Sequence, residues 1–502
     1  MKTRLLCAVM LLALAIGLAT PAAAQWDPPQ GAADKAQAVY LYQLDTETLV
    51  YAKNEEEQRA PASLTKLMTA LLLVESGQPL DTAFTIPQDL QPEFNEILAN
   101  YGTRAGLLCG ETVTLEDLLY GCLLPSGNDA ASAIAWYLGN GDEAAFLEQM
   151  NQRAAELGCT GTHFSCPHGL DGIEQGTYST AQDMFRIARA CMENETLMEV
   201  MCSTDYWMPL TELHTQADAG APEGKSYQIR STVVMQNPDS PLYRDYIRGM
   251  KTGFTDEAGR CFVSGAQQGG ASWLLVVMGA QDGLAEDGVN YAFHTTANLY
   301  DWALESLAPT AAVNTETPAA QLPLRWCAES DTVGLYAKDP LVVLAETGSS
   351  SLETRVETTV DSLDAPVQAG QVLGRLTVLV NGEAVGSTEL VTLGNYERSF
   401  WLYALDLLRP WLPLLAVLGC VLLIGLALLV RMLSRRAAVR RRRKAIRVAP
   451  PRNSQPQGTI LRLPAIDKES ICFQAERWLC VHFGKRPRSV PGTCTVDFHR
   501  RR

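Results

Sequence analysis

Ser63 and Lys66 form the first of three polar clusters whose residue types suit nucleophilic chemistry. They are three residues apart in APASLTKLMTALL, so both side chains face the same side of one helical turn. Burial among the flanking leucines disfavours the charged form of lysine, and a neutral amine can accept the serine proton. Ser63 would then be a nucleophile and Lys66 its general base. The simpler interpretation is a serine that caps the helix and a lysine that extends to water.

Ser126-Gly127-Asn128 is the second cluster, and it separates two helix-like segments in LLPSGNDAA. In the catalytic interpretation, Ser126 relays a proton to the leaving group and Asn128 holds a substrate amide. The simpler interpretation is an ordinary turn between helices, followed by a helix-capping residue.

Lys251-Thr252-Gly253 is the third cluster, and it ends the strand-like segment YIRGMKTG. Lys251 offers positive charge and Thr252 a hydroxyl to a substrate carboxylate, and Gly253 leaves room for a substrate backbone. Three such clusters in this order favour one catalytic site over three unrelated features.

The segments around these clusters predict an α/β domain. Residues 39–52 read as two short strands around a polar turn, which is typical of a β-hairpin. A helix-rich region follows, and the chain then returns to strand-like patterns in YIRGMKTG, GRCFVSGAQ and SWLLVVMGAQ. A last helix is predicted at 291–307. Strands from both ends of the domain can therefore share one antiparallel sheet beside a helical cluster.

Four segments together resemble the low-molecular-mass D-alanyl-D-alanine carboxypeptidases, the penicillin-binding S11 serine peptidases of peptidoglycan. They are APASLTKLMTALL, LLYGCLLPSGNDAA, PHGLDG with YSTAQDM, and GMKTGFTDEAGRC. The motifs S-x-x-K, S-x-N and K-T-G that they contain are of a kind shared with class A β-lactamases. The resemblance extends over residues 37–307 and implies a β-lactamase/transpeptidase-like fold.

The resemblance also implies an activity and a set of site residues. The terminal D-alanine of the stem pentapeptide would be removed through an acyl-enzyme, which limits cross-linking of the cell wall, and β-lactams would acylate the same serine. The implied roles are nucleophile for Ser63, general base for Lys66, proton relay for Ser126, substrate binding for Asn128, Lys251, Thr252 and Gly253, and an oxyanion hole from the backbone N–H groups of Ser63 and Phe254. No cofactor and no metal are expected.

Two features depart from the family pattern. Cys166 stands just before Pro167 and His168, where an asparagine or a similar polar residue is expected. Many relatives attach to the membrane through an amphipathic C-terminal helix, whereas this chain has an apolar segment long enough to span the membrane.

Both ends of the chain carry targeting signals. Residues 1–24 have a basic start, an apolar run and an Ala-rich end, which predicts a cleaved signal peptide. Residues 409–430 are predicted to be a transmembrane helix, and the arginines that follow place the tail, residues 431–502, in the cytoplasm. The tail is predicted to be disordered. The catalytic domain would then lie outside the cytoplasm, on a single-pass protein of the cell membrane that contacts membrane lipid.

The remaining regions are assigned by composition. The catalytic domain is predicted at 25–307, a Pro/Ala/Thr-rich linker at 308–322 and a small all-β domain at 323–398, with an Asn381-Gly382 hairpin turn. The tail carries 19 Lys and Arg against 4 Asp and Glu, whereas residues 5–430 carry 20 against 52. A region this acidic is not expected to bind nucleic acid.

Three different functions share some of these features. A class A β-lactamase needs a deacylating glutamate on a loop after the second cluster, but the lookalike PEFNE, residues 92–96, precedes Ser126. The second function is that of an inactive homologue that only binds the cell wall, and the third is that of an endopeptidase that acts on cross-links. Replacement of Ser63 distinguishes an enzyme from a binding module.

The cysteines leave two questions open. Eight of the 13 lie in the predicted exported region, and their pairing is not fixed by the sequence. The group Cys159, His163, Cys166 and His168 has a spacing that matches no regular zinc knuckle, so a structural loop is preferred over a metal site.

Overall fold

A computed structural model describes residues 26–170, 176–284, 286–348 and 352–445. The predicted signal peptide and the tail beyond residue 445 lie outside the described residues. The helices are α1 (Lys66–Glu75), α2 (Gln91–Ala99), α3 (Leu115–Leu123), α4 (Asn128–Leu138), α5 (Glu143–Glu156), α6 (Ala181–Met192), α7 (Glu195–Cys202), α8 (Tyr291–Ser306), α9 (Phe400–Leu408) and α10 (Leu412–Ala445).

The strands follow the alternation of helical and extended patterns in the sequence. They are β1 (Ala38–Gln43), β2 (Thr48–Lys53), β3 (Ala83–Thr85), β4 (Thr112–Thr114), β5 (Asp205–Pro209), β6 (Lys225–Arg230), β7 (Ile247–Thr255), β8 (Gly259–Gln268), β9 (Ala271–Ala280), β10 (Asp282–Gly283), β11 (Val289–Asn290), β12 (Leu307–Val313), β13 (Ala320–Arg325), β14 (Thr332–Ala337), β15 (Leu341–Glu346), β16 (Leu352–Thr358), β17 (Leu363–Asp364), β18 (Val372–Val380) and β19 (Glu383–Val391).

One five-stranded antiparallel sheet organises the catalytic region, in the order β2-β1-β9-β8-β7. N-terminal and C-terminal strands share it, as the sequence predicts. Both faces of the sheet are covered, because successive side chains of a strand point to opposite faces. Leu274 and Val276 pack with the helical cluster, and Leu275 and Val277 pack with α8. The α/β prediction is confirmed.

Local sequence signals set the boundaries of the helices near the site. Thr114 caps α3 through a reciprocal capping box with Asp117, as the threonine and the acidic first turn predict. Gly127 precedes α4, which begins at Asn128. The second cluster therefore lies at the N-terminus of a helix.

The C-terminal region is all-β, as predicted, with a six-stranded sheet in the order β16-β18-β19-β14-β13-β17. Asn381 and Gly382 both have positive φ, 52° and 85°, and close the two-residue turn between β18 and β19. That turn prediction is confirmed.

Residues 308–322 are not an irregular connection, which corrects the linker prediction. Most of them belong to β12, which pairs with β15, and to the start of β13. Small residues obscured the strand pattern, yet a backbone passing beside a sheet needs hydrogen-bond partners and obtains them by pairing. Pro309 is tolerated because β12 pairs on one side only. The domain boundaries themselves stay a prediction.

The apolar C-terminal segment is helical, and Phe400–Arg441 is long and apolar enough to cross a membrane. The helix continues past residue 430 to Ala445. The predicted disorder of the tail is therefore wrong for residues 431–445, where leucine, alanine and arginine favour a helix.

Candidate active site

Ser63 lies in a 3₁₀ turn, Ala62–Thr65, that leads directly into α1, and Lys66 is the first residue of α1. The turn is anchored by Leu64, which is fully buried, so its position is fixed by the core. Lys66 has no exposed surface. Its Nζ atom lies 2.9 Å from Ser63 Oγ, 2.6 Å from Asn128 Oδ1 and 2.8 Å from the carbonyl oxygen of His168.

These three contacts suit a neutral lysine that acts as a base. A neutral amine has two N–H donors and one lone pair. Asn128 Oδ1 and the His168 carbonyl can only accept, so they take the two N–H groups. The lone pair is left facing the Ser63 hydroxyl, which can donate to it. The snorkelling interpretation of Lys66 does not fit, because the side chain does not reach water.

Burial lowers the pKa of Lys66 to about 8, although Cys122, Cys166 and Asp129 act in the opposite direction. Lowering is expected because an ammonium ion loses hydration in an apolar cavity. The unprotonated fraction of Lys66 at neutral pH is therefore far larger than for an exposed lysine.

The second cluster approaches Lys66 from the start of α4. Ser126 has φ of 64°, a left-handed conformation that is costly for a residue with a side chain. Thr103 holds this turn: its Oγ1 donates to the Ser126 carbonyl over 2.5 Å, and its own carbonyl accepts from Asn128 N over 2.9 Å. The Ser126 Oγ atom is buried and has no hydrogen-bond partner among the described residues. It is therefore available to a bound substrate.

The third cluster lies on β7, the edge strand of the sheet. Lys251 is fully buried, and burial together with repulsion from Lys66 lowers its pKa well below the usual lysine value. Its Nζ donates to the carbonyl of Thr252 over 3.0 Å, and Thr252 Oγ1 donates to Thr232 Oγ1 over 2.6 Å. Lys66 is thus close enough to disfavour the charged form of Lys251.

Gly253 and Phe254 complete β7 beside the nucleophile. A Cβ atom on Gly253 would lie 3.1 Å from Ser63 N and 3.2 Å from the Pro61 carbonyl, so only glycine fits without displacement. Phe254 is 39% exposed, and the Arg260 guanidinium lies 4.0 Å from its ring centre. The backbone N–H groups of Ser63 and Phe254 therefore belong to neighbouring elements, as an oxyanion hole requires.

Two contributors were not predicted from the sequence. The His168 carbonyl is an acceptor for Lys66, which no side-chain pattern can reveal. Gly169, with φ of 80°, passes so close to the nucleophile turn that a Cβ would lie 1.9 Å from the Ala62 carbonyl. The His-Gly pair in PHGLDG was the only sequence signal for this contact.

No disulfide joins the cysteines of the described part of the chain. Cys166, which departs from the family pattern, accepts a hydrogen bond from the backbone N–H of Gly169 over 3.1 Å. Its side chain therefore stabilises this loop. Within the described ranges, no three His, Cys, Asp or Glu side chains are grouped closely enough to hold a metal ion. His163 instead contacts the Gly176 carbonyl.

Comparisons with known proteins identify the family of this chain. The family model for D-alanyl-D-alanine carboxypeptidase matches residues 24–282, and that for the C-terminal domain of penicillin-binding protein 5 matches residues 325–398. The D-alanyl-D-alanine carboxypeptidase DacF of Bacillus subtilis is 27% identical over 73% of this chain and 87% of its own length. The D-alanyl-D-alanine carboxypeptidase of Streptomyces sp. strain K15 is 34% identical over 55% of this chain and 91% of its own.

Solved structures show the same fold. DacD from Francisella tularensis, a D-alanyl-D-alanine carboxypeptidase, has a TM-score of 0.57 at 24% identity and covers 76% of this chain and 96% of that one. Penicillin-binding protein 5 from Haemophilus influenzae has a TM-score of 0.54 at 22% identity, covering 74% and 100%. Because the first family model spans half of the sequence and the solved structures share its fold, this chain belongs to the D-alanyl-D-alanine carboxypeptidase family of serine peptidases.

Proposed function

We propose that this protein is a serine D,D-carboxypeptidase that removes the terminal D-alanine from peptidoglycan stem pentapeptides. The observation that carries the proposal is the position of Lys66 Nζ, fully buried and 2.9 Å from Ser63 Oγ. Two acceptors occupy the other directions around this nitrogen, so the site supplies a base aimed at a nucleophile.

The proposed acylation uses these positions. Lys66 takes the hydroxyl proton as Ser63 Oγ bonds to the carbonyl carbon of the penultimate D-alanine. The backbone N–H groups of Ser63 and Phe254 stabilise the oxyanion. As the C–N bond breaks, Ser126 Oγ donates a proton to the departing amine. Lys66 then gives Ser126 the proton that it took from Ser63. Terminal D-alanine leaves, and an ester on Ser63 remains.

Hydrolysis then needs a water molecule to attack the ester carbonyl, with Lys66 as the base that accepts the water proton. Ser63 is released with its own proton restored. A β-lactam would open its ring by the same first step and would stay attached to Ser63 as an ester. Its leaving nitrogen remains tethered to the acyl group, so it does not diffuse away as D-alanine does.

Substrate binding is assigned to residues around this reacting centre. Lys251 and Thr252 would bind the terminal carboxylate, because a bound carboxylate favours the charged form of Lys251 and Thr252 adds a hydroxyl at the same end of β7. Asn128 would hold a peptide amide. Gly253 would let the substrate backbone lie against β7, because a side chain there would meet Ser63 N.

We also propose that the protein is anchored in the cell membrane by one helix, with the catalytic domain on the extracytoplasmic face. Phe400–Arg441 has the required length and apolar character. Arginines 431, 435 and 436 follow the apolar run, which favours a cytoplasmic C-terminus. The proposed order is signal peptide 1–24, catalytic domain 25–307 and β-domain 323–398.

D-alanine release tests the proposed reaction. The full-length chain in detergent is incubated with a diacyl-L-Lys-D-Ala-D-Ala peptide, and free D-alanine is measured with time. We expect release by the wild type and none by Ser63→Ala. Ser76→Ala is the matched control, because Ser76 lies at the exposed far end of the same helix.

The same samples separate this reaction from the rival functions. A folded wild-type chain that binds penicillin at Ser63 without releasing D-alanine would be a binding module. Rapid turnover of penicillin without D-alanine release would instead identify a β-lactamase. Cleavage of cross-linked dimers of stem peptides, at a rate similar to that of pentapeptides, would show endopeptidase activity.

A further inference from the structure

Glu93 lies beside His168, whose carbonyl accepts a hydrogen bond from Lys66. Glu93 nevertheless precedes the second cluster in the sequence. It is in the first turn of α2, and its side chain is 25% exposed. The hydroxyl of Ser132 donates a short hydrogen bond to Glu93 Oε1. The same oxygen lies 3.7 Å from Nε2 of His168.

His168 has a polar group of the protein near each of its ring nitrogens. Its Nδ1 accepts the backbone N–H of Leu170 over 3.2 Å, so the ring proton is on Nε2 and faces Glu93. The ring is almost fully buried, and only 9% of the side chain is exposed. The backbone carbonyl of the same residue accepts from Lys66 Nζ over 2.8 Å. The ring therefore fixes the segment that carries this carbonyl.

Ser132 connects Glu93 to the other acceptor of Lys66. It lies one turn after Asn128 on α4, and its Oγ is 3.0 Å from the Asn128 carbonyl. A hydroxyl has one hydrogen, and Ser132 shares it between Glu93 Oε1 and the Asn128 carbonyl, since both oxygens can only accept. One carboxylate oxygen thus contacts both residues that brace the acceptors of Lys66: His168 by its ring, and Asn128 through Ser132.

We propose that Glu93 is a positioning residue for Lys66, a role that rests on the proposed function of Lys66 as the base. The lone pair of a neutral amine points wherever its two N–H groups do not. Displacing either the His168 carbonyl or Asn128 Oδ1 turns the lone pair away from Ser63 Oγ. Glu93 holds both acceptors in place and so keeps the base aimed at the nucleophile.

Loss of Glu93 should slow acylation far more than it weakens substrate binding, because Lys251 and Thr252, which we assign to the substrate carboxylate, are on β7, outside this network. In Glu93→Ala we expect kcat for D-alanine release to fall roughly 10- to 100-fold, as misdirected catalytic groups typically do, with KM within about twofold of the wild type. Glu93→Gln keeps an oxygen acceptor at the same place and should recover most of the loss. Glu96→Ala, on the exposed side of α2, is the matched control.

The test measures kcat, KM and the rate of Ser63 acylation by a fluorescent penicillin on the full-length chain, with thermal unfolding of each variant. Of the contacts that Glu93 makes in this network, Ser132→Ala removes only the one with Ser132, so a smaller fall in kcat is expected. This variant keeps the test decisive if Glu93→Ala does not fold. A wild-type kcat in folded Glu93→Ala and Ser132→Ala, or a loss confined to KM, would overturn the positioning role alone. An inactive wild type would overturn the proposed function and this role together.

Discussion

At the scale of the residue, the protonation state of Lys66 controls the proposed reaction. Its nitrogen contacts polar groups of the protein and is shielded from water. The pKa of Lys66, lowered by burial to about 8, leaves a small neutral fraction at neutral pH and a large one above pH 8. Below pH 8 each unit of acidification should therefore cost about tenfold in the concentration of active base.

We expect the rate of Ser63 acylation to rise with pH up to about 8 and then level off. The measurement is the acylation rate constant from pH 5 to 9 with a fluorescent penicillin. In Lys66→Arg the guanidinium never becomes neutral, so acylation should fall by about a thousandfold or more at every pH. An acylation rate that is flat between pH 6 and 8 would contradict a titrating Lys66.

The left-handed backbone of Ser126 should lower the stability of the protein, while its hydroxyl supports the proposed activity. Both Ser126→Gly and Ser126→Ala lose the hydroxyl, and D-alanine release should fall roughly 100-fold or more in each. Only glycine relieves the positive φ of 64°, so Ser126→Gly should be more stable than Ser126→Ala by about 1 kcal/mol. Urea unfolding of the two variants measures the difference, and equal midpoints would argue against strain at this turn.

At the scale of the element, close contact between β7 and the nucleophile turn sets the shape of the cleft. Gly253 lets the strand approach Ser63, and Gly169 lets the loop after α5 approach Ala62. Neither approach follows from helix or strand propensity. Each depends on which elements become neighbours in the folded chain.

Gly253→Ala tests the contact from the strand side. The added methyl group would press on Ser63 N, which we assign to the oxyanion hole, so acylation should slow roughly 100-fold. Gly386→Ala is the matched control, because it lies in strand β19 and its added Cβ meets nothing closer than 3.8 Å. The rate constant for penicillin acylation is the measurement, and equal rates in both variants would exclude crowding of this site.

Sequence patterns predicted these elements unevenly. The hairpin β1–β2, the Thr114 cap and the Asn381-Gly382 turn follow from local residues, and all three are present. The strand β12 was missed because its pairing with β15 is a long-range contact that composition does not encode. For the site, the side chains were recognisable from motifs, whereas the His168 carbonyl and the Glu93 network depend on packing and were not.

For the whole molecule, attachment and chemistry are expected to be separable. The predicted site residues all lie between Ser63 and Phe254, and the predicted transmembrane helix, residues 409–430, follows much later in the chain. The two functions therefore use different parts of the chain.

A chain truncated after Leu408 should be released from the membrane and should keep D-alanine release within about twofold of the full-length chain, because every proposed catalytic group is retained. The α9 contact of Asp406 with Trp326 Nε1, at 3.0 Å, is also retained in this truncation. Cell fractionation with a carboxypeptidase assay of each fraction is the measurement. Activity that stays with the membrane would show a second attachment site, and inactivity of the soluble chain would show that the helix supports the fold.

The cysteines of the core also bear on how this protein folds. The buried cysteines that form no disulfide in the described part of the chain are Cys109, Cys122, Cys159, Cys166, Cys191, Cys261 and Cys327. Burial raises the pKa of Cys122 and Cys261 to about 11, so they stay protonated and react slowly with oxidants. The fold of the described residues is thus reached without oxidative cross-linking. We therefore expect this region to fold without a thiol oxidase and to keep the same melting temperature in a reducing buffer.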